Sequence, residues 1–468
     1  MSPYIVSDCH AIGDMATTCD CSGGKPGGYK HPGHNYVQTG NEAVVAALTG
    51  GTDVNCGCYY KNWLDYALGN KTNGLTSDAV DLAAGRVAFA LIRTGQLDAE
   101  GAASPFTKIQ KSVVDNAAAR ALAMEAGQQS IVLLQNEPVG AAAQGTAEKP
   151  LAAQKLLPLV VKAGTQLAFL GPHADATQAM LSNYHGDNTL VNEHSPLAAA
   201  RARWPAAAIS HAPGVNDTGT RQTDGIAKAA AAAKAADLAV VFVGLTPCNG
   251  WGKQMCNEGE SHDRNEHLDS AGQLQLPGSQ QALVEAVAAA QPNYVVVLIN
   301  GGALGTDWIA KNSPAVVEAF YPGELGGDAI VSVLSGDYNP TGRLPITIYP
   351  EAFAATRPIT DMSLRGADGI THLHYSGTPL WKFGHSESYT SFELHQSGAL
   401  DSPTVEDLSA RAKDELPAYR VEVTNTGDVA GGFTVMGFVT CNDRAVNSAG
   451  FPRQKLFGFA GVELLAPK

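Results

Sequence analysis

The chain has 468 residues, too many for a single hydrophobic core, so its length favours two to four domains. Apolar residues make up 44% of the chain and charged residues only 16%, a balance typical of folded protein that argues against long disorder. The formal net charge of -14 disfavours nucleic acid and anionic membranes, and we predict neither as a partner.

The first predicted region, residues 1–98, combines short strands with helices. Tyr4–Val6 is an aromatic and β-branched run that predicts a strand, and it passes directly into the polar loop Ser7–His10. A second short strand is predicted over Gly51–Asn55, after a helix, which indicates a βα repeat. The predicted helices of this region are Asn41–Leu48, Asn62–Leu68 and Ser77–Arg93.

Residues 99–154 are predicted to be a linker between domains. Ala99–Phe106 is rich in small residues and contains proline, and Gly140–Gln154 is alanine-rich without periodicity. Between them, the pattern predicts a long helix over Val113–Ala126 that leads into the apolar run Ile131–Leu134.

Residues 155–392 are predicted to form an α/β sandwich domain. Their apolar runs do not alternate with polar residues and are separated by helices, as is typical of parallel strands covered on both faces. The predicted strands are Leu167–Leu170, Leu238–Val243, Tyr294–Ile299 and Ala315–Phe320, and the predicted helices include Gly225–Ala236 and Gln280–Ala290.

Residues 401–468 change to alternating segments separated by turns, which predicts a small β-sandwich. The strands are predicted over Tyr419–Val423, Thr434–Val439 and Leu456–Val462. Because few residues follow the third segment, we expect the sandwich to be incomplete.

The eight cysteines are many for a reducing cytosol and too few for a disulfide-built miniprotein. Several lie close together in sequence and could pair locally in an oxidising compartment, with scattered free thiols as the alternative. These local groups are Cys19/Cys21, Cys56/Cys58 and Cys248/Cys256. The C-x-C spacings are shorter than those of usual zinc motifs, and no histidine pair at finger spacing accompanies them, so we predict no metal site.

Asp8 directly follows the carboxyl end of the first predicted strand, which in a parallel α/β barrel is the face that carries catalytic groups. Glycoside hydrolysis needs two carboxyl groups: one attacks the anomeric carbon or activates water, and the other protonates the leaving oxygen. Asp8 is a candidate for the first role. A helix cap or a loop hydrogen bond is the alternative role for a lone aspartate at a strand end.

A second group of carboxylates lies in the sequence Asn257–Arg264, in a long loop after a predicted strand. Glu258 or Glu260 could serve as a general acid if burial and neighbouring negative charge raise its pKa. A solvated acidic loop with a local ion pair between Asp263 and Arg264 is the alternative.

Trp251, beside this acidic loop, is a candidate for stacking on a sugar ring, and ordinary packing is the alternative. No G-x-G-x-x-G or phosphate-binding loop pattern occurs, so we predict no nucleotide and no other cofactor. His185, His372 and His374 lie near aromatic residues and are assigned to hydrogen bonding rather than to metal binding.

An ordered set of short motifs spans nearly the whole chain. The motifs are Tyr4–Cys9, Gly51–Gly57, Ser130–Asn136, Gly171–Ala174, Asp263–Arg264 with Leu276–Gly278, Tyr321–Gly323 with Gly326–Gly327, Gly342–Pro345, Phe383–His385 with Ser388–Thr390, Asn425–Gly427 and Leu456–Phe459. In this order they resemble glycoside hydrolase family 3, most closely its β-xylosidase branch.

The resemblance implies an architecture of three parts. Residues 1–98 would be the C-terminal remnant of a (β/α)8 barrel catalytic domain, residues 155–392 the α/β sandwich, and residues 401–468 an incomplete fibronectin type III-like domain. The family's barrel has several strands before the one that carries the nucleophile, whereas this chain begins at that strand. We therefore expect an N-terminally truncated part of a secreted parent.

The resemblance also implies a retaining exo-glycosidase that works by double displacement, with Asp8 as the nucleophile. A glutamate from a loop of the second domain would be the acid/base, and its position relative to Asp263–Arg264 favours Glu258, with Glu260 as the second choice. The expected substrate is a β-1,4-xylo-oligosaccharide with terminal xylose. A β-glucosidase, an α-L-arabinofuranosidase and a non-catalytic, sugar-binding fragment are the alternatives.

Overall fold

The computed structural model describes residues 3–22, 30–98, 108–138, 155–182, 185, 193–216, 219, 221–246, 274–357, 361, 363–366, 368–397, 419–440 and 451–467. The chain divides into two units, residues 1–114 and 115–468. Among the helices of these described residues, none is both long and apolar enough to cross a membrane.

The first unit consists of helices and one small hairpin. Its elements are α1 (Ala11–Asp14), β1 (Thr18–Asp20), β2 (Lys30–Pro32), α2 (Gly40–Thr49), α3 (Tyr59–Gly69) and α4 (Ser77–Arg93), with β1 and β2 antiparallel. A capping box fixes the start of α2: the Thr39 hydroxyl accepts from N–H of Glu42, and the Glu42 carboxylate accepts from N–H of Thr39.

A small core holds the hairpin against the helices of this unit. Cys19, Val44 and Tyr59 are buried together in it. The Tyr59 hydroxyl donates to O of Thr18 at 2.9 Å and accepts from N–H of Asp20 at 3.1 Å. One buried tyrosine therefore satisfies two backbone groups of β1 while its ring fills the core.

The two strands predicted in the first unit are reduced to a single parallel bridge between Val6 and Val54. Tyr4, Ile5 and Val6 are 40%, 57% and 47% exposed. The parallel direction agrees with the predicted βα repeat, but these apolar side chains are not covered as they would be within a complete sheet.

A six-stranded sheet forms the centre of the second unit. Its strands are β3 (Val132–Asn136), β4 (Gln166–Leu170), β5 (Ala208–Ala212), β6 (Leu238–Gly244), β7 (Tyr294–Ile299) and β8 (Ala315–Glu318), in the order β3-β8-β7-β6-β4-β5. All neighbours are parallel except β3, which pairs antiparallel with β8. The α/β fold class is confirmed, with a mixed sheet rather than a wholly parallel one.

Helices cover both faces of this sheet. Alternate residues of one strand enter different cores: Val240 and Phe242 belong to one buried cluster, and Val241 and Val243 to the other. On the first face lie α5 (Ala117–Ser130), α6 (Pro196–Arg203) and α10 (Gly326–Ser335); on the second lie α7 (Ile226–Ala235), α8 (Gln280–Ala290) and α9 (Asp307–Asn312). Burial on both faces explains why the strands read as continuous apolar runs.

The segment 99–154, predicted as a linker, contains structure that belongs to the second unit. Helix α5 packs on the sheet, and β3 forms its antiparallel edge. The physical reason is the run Ile131–Leu134, whose four side chains are at most 1% exposed. Such a run must be buried, and here the edge of the sheet buries it, so the domain begins well before residue 155.

Two antiparallel ribbons follow the sheet, after the short helix α11 (Thr371–His374). One pairs β9 (Phe392–Ser397) with β10 (Arg420–Asn425), and the other pairs β11 (Gly431–Thr440) with β12 (Gln454–Leu465). The ribbons touch through Phe392 and Phe433, whose ring centroids lie 4.8 Å apart. The strand predicted over Tyr419–Val423 overlaps β10 except at Tyr419, and the other two predicted strands fall within β11 and β12.

Candidate active site

The loop that carries Asp8 is fastened to the loop after Val54 by backbone groups. N–H of Ser7 donates to O of Val54 at 2.9 Å, and N–H of His10 donates to O of Cys56 at 2.7 Å. The Ser7 hydroxyl accepts from N–H of Cys56 at 3.0 Å. His10 is held at a φ of 66°, a left-handed conformation that a non-glycine residue keeps only when its surroundings enforce it.

A disulfide between Cys9 and Cys56 adds a covalent link next to Asp8. The Asp8 side chain itself is exposed, and its Oδ1 accepts from N–H of Cys9 at 2.8 Å. The carboxylate therefore faces solvent from a backbone that is fixed on both sides. This combination suits a group that must meet an incoming substrate in one orientation.

A partly buried ion pair holds the extended segment before Asp8. Asp53 is 3% exposed and accepts from N–H of Ile5 at 2.9 Å and from Nη1 of Arg86 at 2.8 Å. Burial raises the pKa of Asp53, but the hydrogen bonds from Ile5 and Arg86, with the charge of Arg86, outweigh it, so the pKa is lowered. The carboxylate thus stays ionised and anchors the segment that leads to Asp8.

The disulfides connect cysteines that are far apart in sequence, and neither of them joins two cysteines of the same local group. Cys9 bonds to Cys56 and Cys21 to Cys58, while Cys19 is a buried free thiol. In an extended segment, residues two apart are separated by about 6.6 Å, near the upper limit for a disulfide, so C-x-C pairing is disfavoured. Cys248 and Cys256 lie outside the described residues.

Glu258, Glu260 and Trp251 also lie outside the described residues, so their roles stay predictions. The strand that leads toward them is β6, which ends at Gly244, and the described chain resumes at Leu274. The carboxyl ends of β4, β6, β7 and β8 lie at one edge of the sheet because these strands are parallel. The acidic loop therefore leaves the sheet at the edge where α/β proteins usually place ligands.

The same edge holds a buried carboxyl group, for which the sequence alone predicted no role. Glu318, the last residue of β8, is 1% exposed and accepts from N–H of Phe320 at 2.9 Å and from Nδ2 of Asn300 at 3.4 Å. Burial raises the pKa of Glu318 to about 8, against the lowering effect of these two donors. Because the group is sealed from solvent and hydrogen-bonded inside the sheet, we assign it to structure. The sequence signal that could have identified Glu318 is a glutamate at the end of an apolar run.

An open cleft of about 600 Å³ lies elsewhere in the second unit. Among its lining residues are Tyr375, Phe383 and Phe438, with Lys382 and Arg453. Among the described residues that line this cleft there is neither an aspartate nor a glutamate. Those residues alone do not supply the two carboxyl groups that glycoside hydrolysis needs.

Comparison with known proteins identifies the second unit. Residues 131–389, more than half of the chain, match the glycosyl hydrolase family 3 C-terminal domain. The matched region begins at the apolar run that becomes β3 and ends just before β9, so it comprises the six-stranded sheet and the helices that cover it except α5.

Whole-chain relatives agree with this match. A probable β-D-xylosidase 7 of Arabidopsis thaliana is 31% identical over 98% of this chain and 56% of its own length. A β-xylosidase/α-L-arabinofuranosidase 1 of Medicago sativa is 30% identical over 99% of this chain, again 56% of its own length. The chain thus spans about half the length of these relatives.

The solved structures include an exo-β-xylosidase of the same family in complex with a xylobiose aziridine probe. It superposes with a TM-score of 0.72 at 24% identity, over 99% of this chain and 55% of that chain. This likeness concerns the fold. The match over residues 131–389 shows that the chain belongs to glycosyl hydrolase family 3.

Proposed function

We propose that the chain forms part of a retaining exo-glycosidase that hydrolyses terminal β-1,4-linked xylose from xylo-oligosaccharides. One observation carries the proposal: the exposed carboxylate of Asp8 stands on a loop tied by hydrogen bonds and a disulfide to the neighbouring loop. The names of the relatives, a β-xylosidase and a β-xylosidase/α-L-arabinofuranosidase, support the choice of sugar.

In the proposed mechanism, a carboxylate oxygen of Asp8 attacks the anomeric carbon as the bond from that carbon to the leaving oxygen breaks. The acid/base gives its proton to the leaving oxygen, and a covalent glycosyl-enzyme forms. The acid/base then takes a proton from water, whose oxygen attacks the anomeric carbon and releases Asp8. Two inversions leave the configuration of the sugar retained.

Glu258 is the proposed acid/base, with Glu260 as the second choice, and Trp251 is the proposed stacking residue. The support is their position in the sequence, because all three residues lie between Gly244, where β6 ends, and Leu274. A general acid needs a raised pKa, which neighbouring carboxylates and burial would provide in such a loop.

The proposed architecture assigns residues 1–98 to a (β/α)8 barrel and residues 401–468 to a fibronectin type III-like domain. The parallel bridge between Val6 and Val54 supports the barrel, as does the exposure of Ile5 and Val6, since barrel strands are normally flanked and covered. The contacting antiparallel ribbons formed by β9 to β12 support the sandwich.

We also propose that the protein works in an oxidising environment outside the cell. The disulfides Cys9–Cys56 and Cys21–Cys58 support this, because structural disulfides persist mainly in secreted proteins. Mass spectrometry of the protein from culture medium, with and without reduction, tests it. Exclusive recovery inside cells with reduced thiols would contradict the proposal.

The proposed nucleophile is tested in the natural gene product that contains this chain. Asp8→Ala should lower kcat for an aryl β-xyloside by at least about 1000-fold, because it removes the group that forms the intermediate. Asp65→Ala changes an exposed aspartate of α3 and is the matched control. Equal turnover in the two variants would contradict the assignment of Asp8.

Substrate choice is tested with aryl β-xyloside, β-glucoside and α-L-arabinofuranoside. Xylose release should be fastest in the unmodified protein. The arabinofuranoside is the principal rival, because the Medicago relative carries both names. Faster release of arabinose or glucose would overturn the sugar assignment while leaving the nucleophile test intact.

A further inference from the structure

Three side chains with metal-binding atoms converge in the first unit, just after the Asp8 loop. Asp14 ends α1, Cys19 lies on β1, and His31 lies on β2 directly opposite Cys19 in the hairpin register. One ligand atom of each lies within 4.8 Å of the other two. The antiparallel pairing places Cys19 and His31 on the same face of the hairpin, so their proximity follows from its register.

The hydrogen bonding of His31 determines which of its nitrogens can bind a cation. Nδ1 lies 2.7 Å from O of Pro32, and because a carbonyl can only accept, Nδ1 carries the proton. In the neutral ring the lone pair is then on Nε2, and Nε2 lies 3.1 Å from Oδ1 of Asp14. Two lone pairs at this distance repel each other unless a proton or a metal ion lies between them.

The donation from Nδ1 to a backbone carbonyl is also the usual outer-shell arrangement of a metal-binding histidine. Oδ1 of Asp14 is shielded from solvent and receives no hydrogen bond of good geometry, although Nε2 is close. A metal ion at this point would be coordinated by this oxygen and the ring nitrogen together. The competing arrangement is a protonated His31 ring that forms an ion pair with Asp14. The two arrangements differ because only a bound metal ion would also be coordinated by Cys19.

Cys19 supplies the third atom. It is 0% exposed and remains a free thiol although the Cys21–Cys58 disulfide lies nearby. Its Sγ lies 4.0 Å from O of His10, and its thiol also interacts with the side chains of Asp14 and Tyr59. A metal ion would displace the thiol proton and bind the thiolate, which is a strong ligand for borderline-soft ions.

We propose that Asp14, Cys19 and His31 form a binding site for Zn²⁺ or a similar divalent transition metal. One sulfur, one imidazole nitrogen and one carboxylate oxygen suit Zn²⁺ and do not suit Ca²⁺ or Mg²⁺, which prefer oxygen ligands. A ring nitrogen of His10 lies within 4.8 Å of Cys19 Sγ, next to the three proposed ligands. The ion would fasten the hairpin to α1, immediately after the Asp8 loop.

The proposed site departs from the expectation that no metal is bound, which rested on the cysteine spacing and on the lack of a histidine pair at finger spacing. The ligands are separated in sequence by Asp14-x4-Cys19-x11-His31, which matches no common zinc motif. The hairpin register brings them together, and register is not visible in the spacing. The proposal is independent of the glycosidase assignment, because it concerns neither Asp8 nor the acidic loop.

The test uses the full chain, stripped of metal with a chelator and kept free of reductant so that both disulfides stay intact. Titration with Co²⁺ should give a thiolate-to-cobalt charge-transfer band that saturates at one equivalent and disappears when Zn²⁺ is added. Cys19→Ser should abolish the band. His31→Gln should weaken Zn²⁺ binding by at least about 100-fold, since even outer-shell changes cost 10 to 100-fold.

His34→Gln is the matched control, because His34 is exposed on the same segment and does not belong to the ligand group. The proposal would be overturned if the unmodified chain gave no cobalt band or if the band persisted in Cys19→Ser. Equal Zn²⁺ affinity in the two histidine variants would overturn it as well. X-ray absorption of the Zn²⁺-loaded unmodified chain needs no variant. It should show a sulfur neighbour at about 2.3 Å, and a shell of nitrogen and oxygen alone would also overturn the site.

Discussion

Removing the disulfide next to Asp8 should lower both the stability of the first unit and its function. Cys9 and Cys56 are 47 residues apart, and Cys21 and Cys58 are 37 apart. Loop-closure entropy depends only on the logarithm of loop length, so each disulfide should stabilise the folded unit by about 4 kcal/mol, with nearly equal values. The double variants C9S/C56S and C21S/C58S are therefore matched in stability.

The two variants should differ in activity because only one disulfide adjoins Asp8. The Asp8 carboxylate accepts a hydrogen bond from N–H of residue 9. In C9S/C56S that residue is no longer cross-linked to residue 56, so the backbone that orients the carboxylate is less constrained. We expect kcat for an aryl β-xyloside to fall at least about tenfold more in C9S/C56S than in C21S/C58S, since a displaced nucleophile is costly.

Stability is measured by urea titration with hydrogen–deuterium exchange of peptides from residues 30–98, which report the first unit alone. Activity is measured below the urea concentration at which either variant unfolds. The reasoning would be refuted by C9S/C56S turning over as fast as C21S/C58S. An unchanged urea midpoint in both variants would likewise refute the assigned disulfides.

Three smaller changes test other parts of the structure by urea unfolding. Arg86→Met leaves the buried carboxylate of Asp53 without its cation and should lower the free energy of unfolding by about 3 kcal/mol. Arg93→Met, on the same helix, is the control. An equal loss in the two variants would contradict the role of the Asp53–Arg86 pair as an anchor. Glu318→Gln should become relatively more stable as pH rises. Its folded pKa of about 8 lies above the unfolded value, so the wild type binds more protons when folded and loses stability between about pH 4.5 and 8. From pH 5 to pH 8 the difference between Glu318→Gln and wild type should shift by roughly 3 kcal/mol, and a constant difference would show that Glu318 is ionised when folded. Thr39→Ala removes the capping box of α2 and should cost about 1 kcal/mol, whereas no loss would mean that the cap is not formed in solution.

Much of the fold was predictable because the strongest patterns are local. The helix Gln280–Ala290 and the strand Tyr294–Ile299 match their predicted bounds, since both combine long apolar patterns with clear ends. The helix predicted over Val113–Ala126 instead begins at Ala117, where the Asn116 side chain caps it by accepting from N–H of Ala119 at 2.9 Å. A capping residue decides a boundary that periodicity only approximates.

Features that depend on pairing between distant segments were not predictable. The run Ile131–Leu134 was recognised as apolar, but its antiparallel place beside β8 is a choice between sheet neighbours that no local pattern encodes. The bond between Cys9 and Cys56 likewise depends on the parallel approach of Val6 and Val54. For the same reason the proximity of Cys19 and His31 appears only once the hairpin register is known.

In the candidate site, too, local features were predictable and contacts between distant residues were not. Asp8 became a candidate because a carboxylate just after a short strand is a local signal, and the family resemblance then implied the role of nucleophile, which stays a prediction. The structure shows that its side chain is exposed. Its anchors, Asp53 and Arg86, were missed because they are 33 residues apart and meet only through folding.

The identity of the nucleophile is tested most directly by trapping the glycosyl-enzyme. A 2-fluoro-xyloside with a good leaving group slows the second step, so the natural gene product that contains this chain should accumulate one covalently bound sugar. Peptide mass spectrometry should locate that sugar on Asp8, and hydroxylamine should release it as expected for an ester. A label on another carboxylate, or turnover without any covalent label, would contradict the double displacement through Asp8.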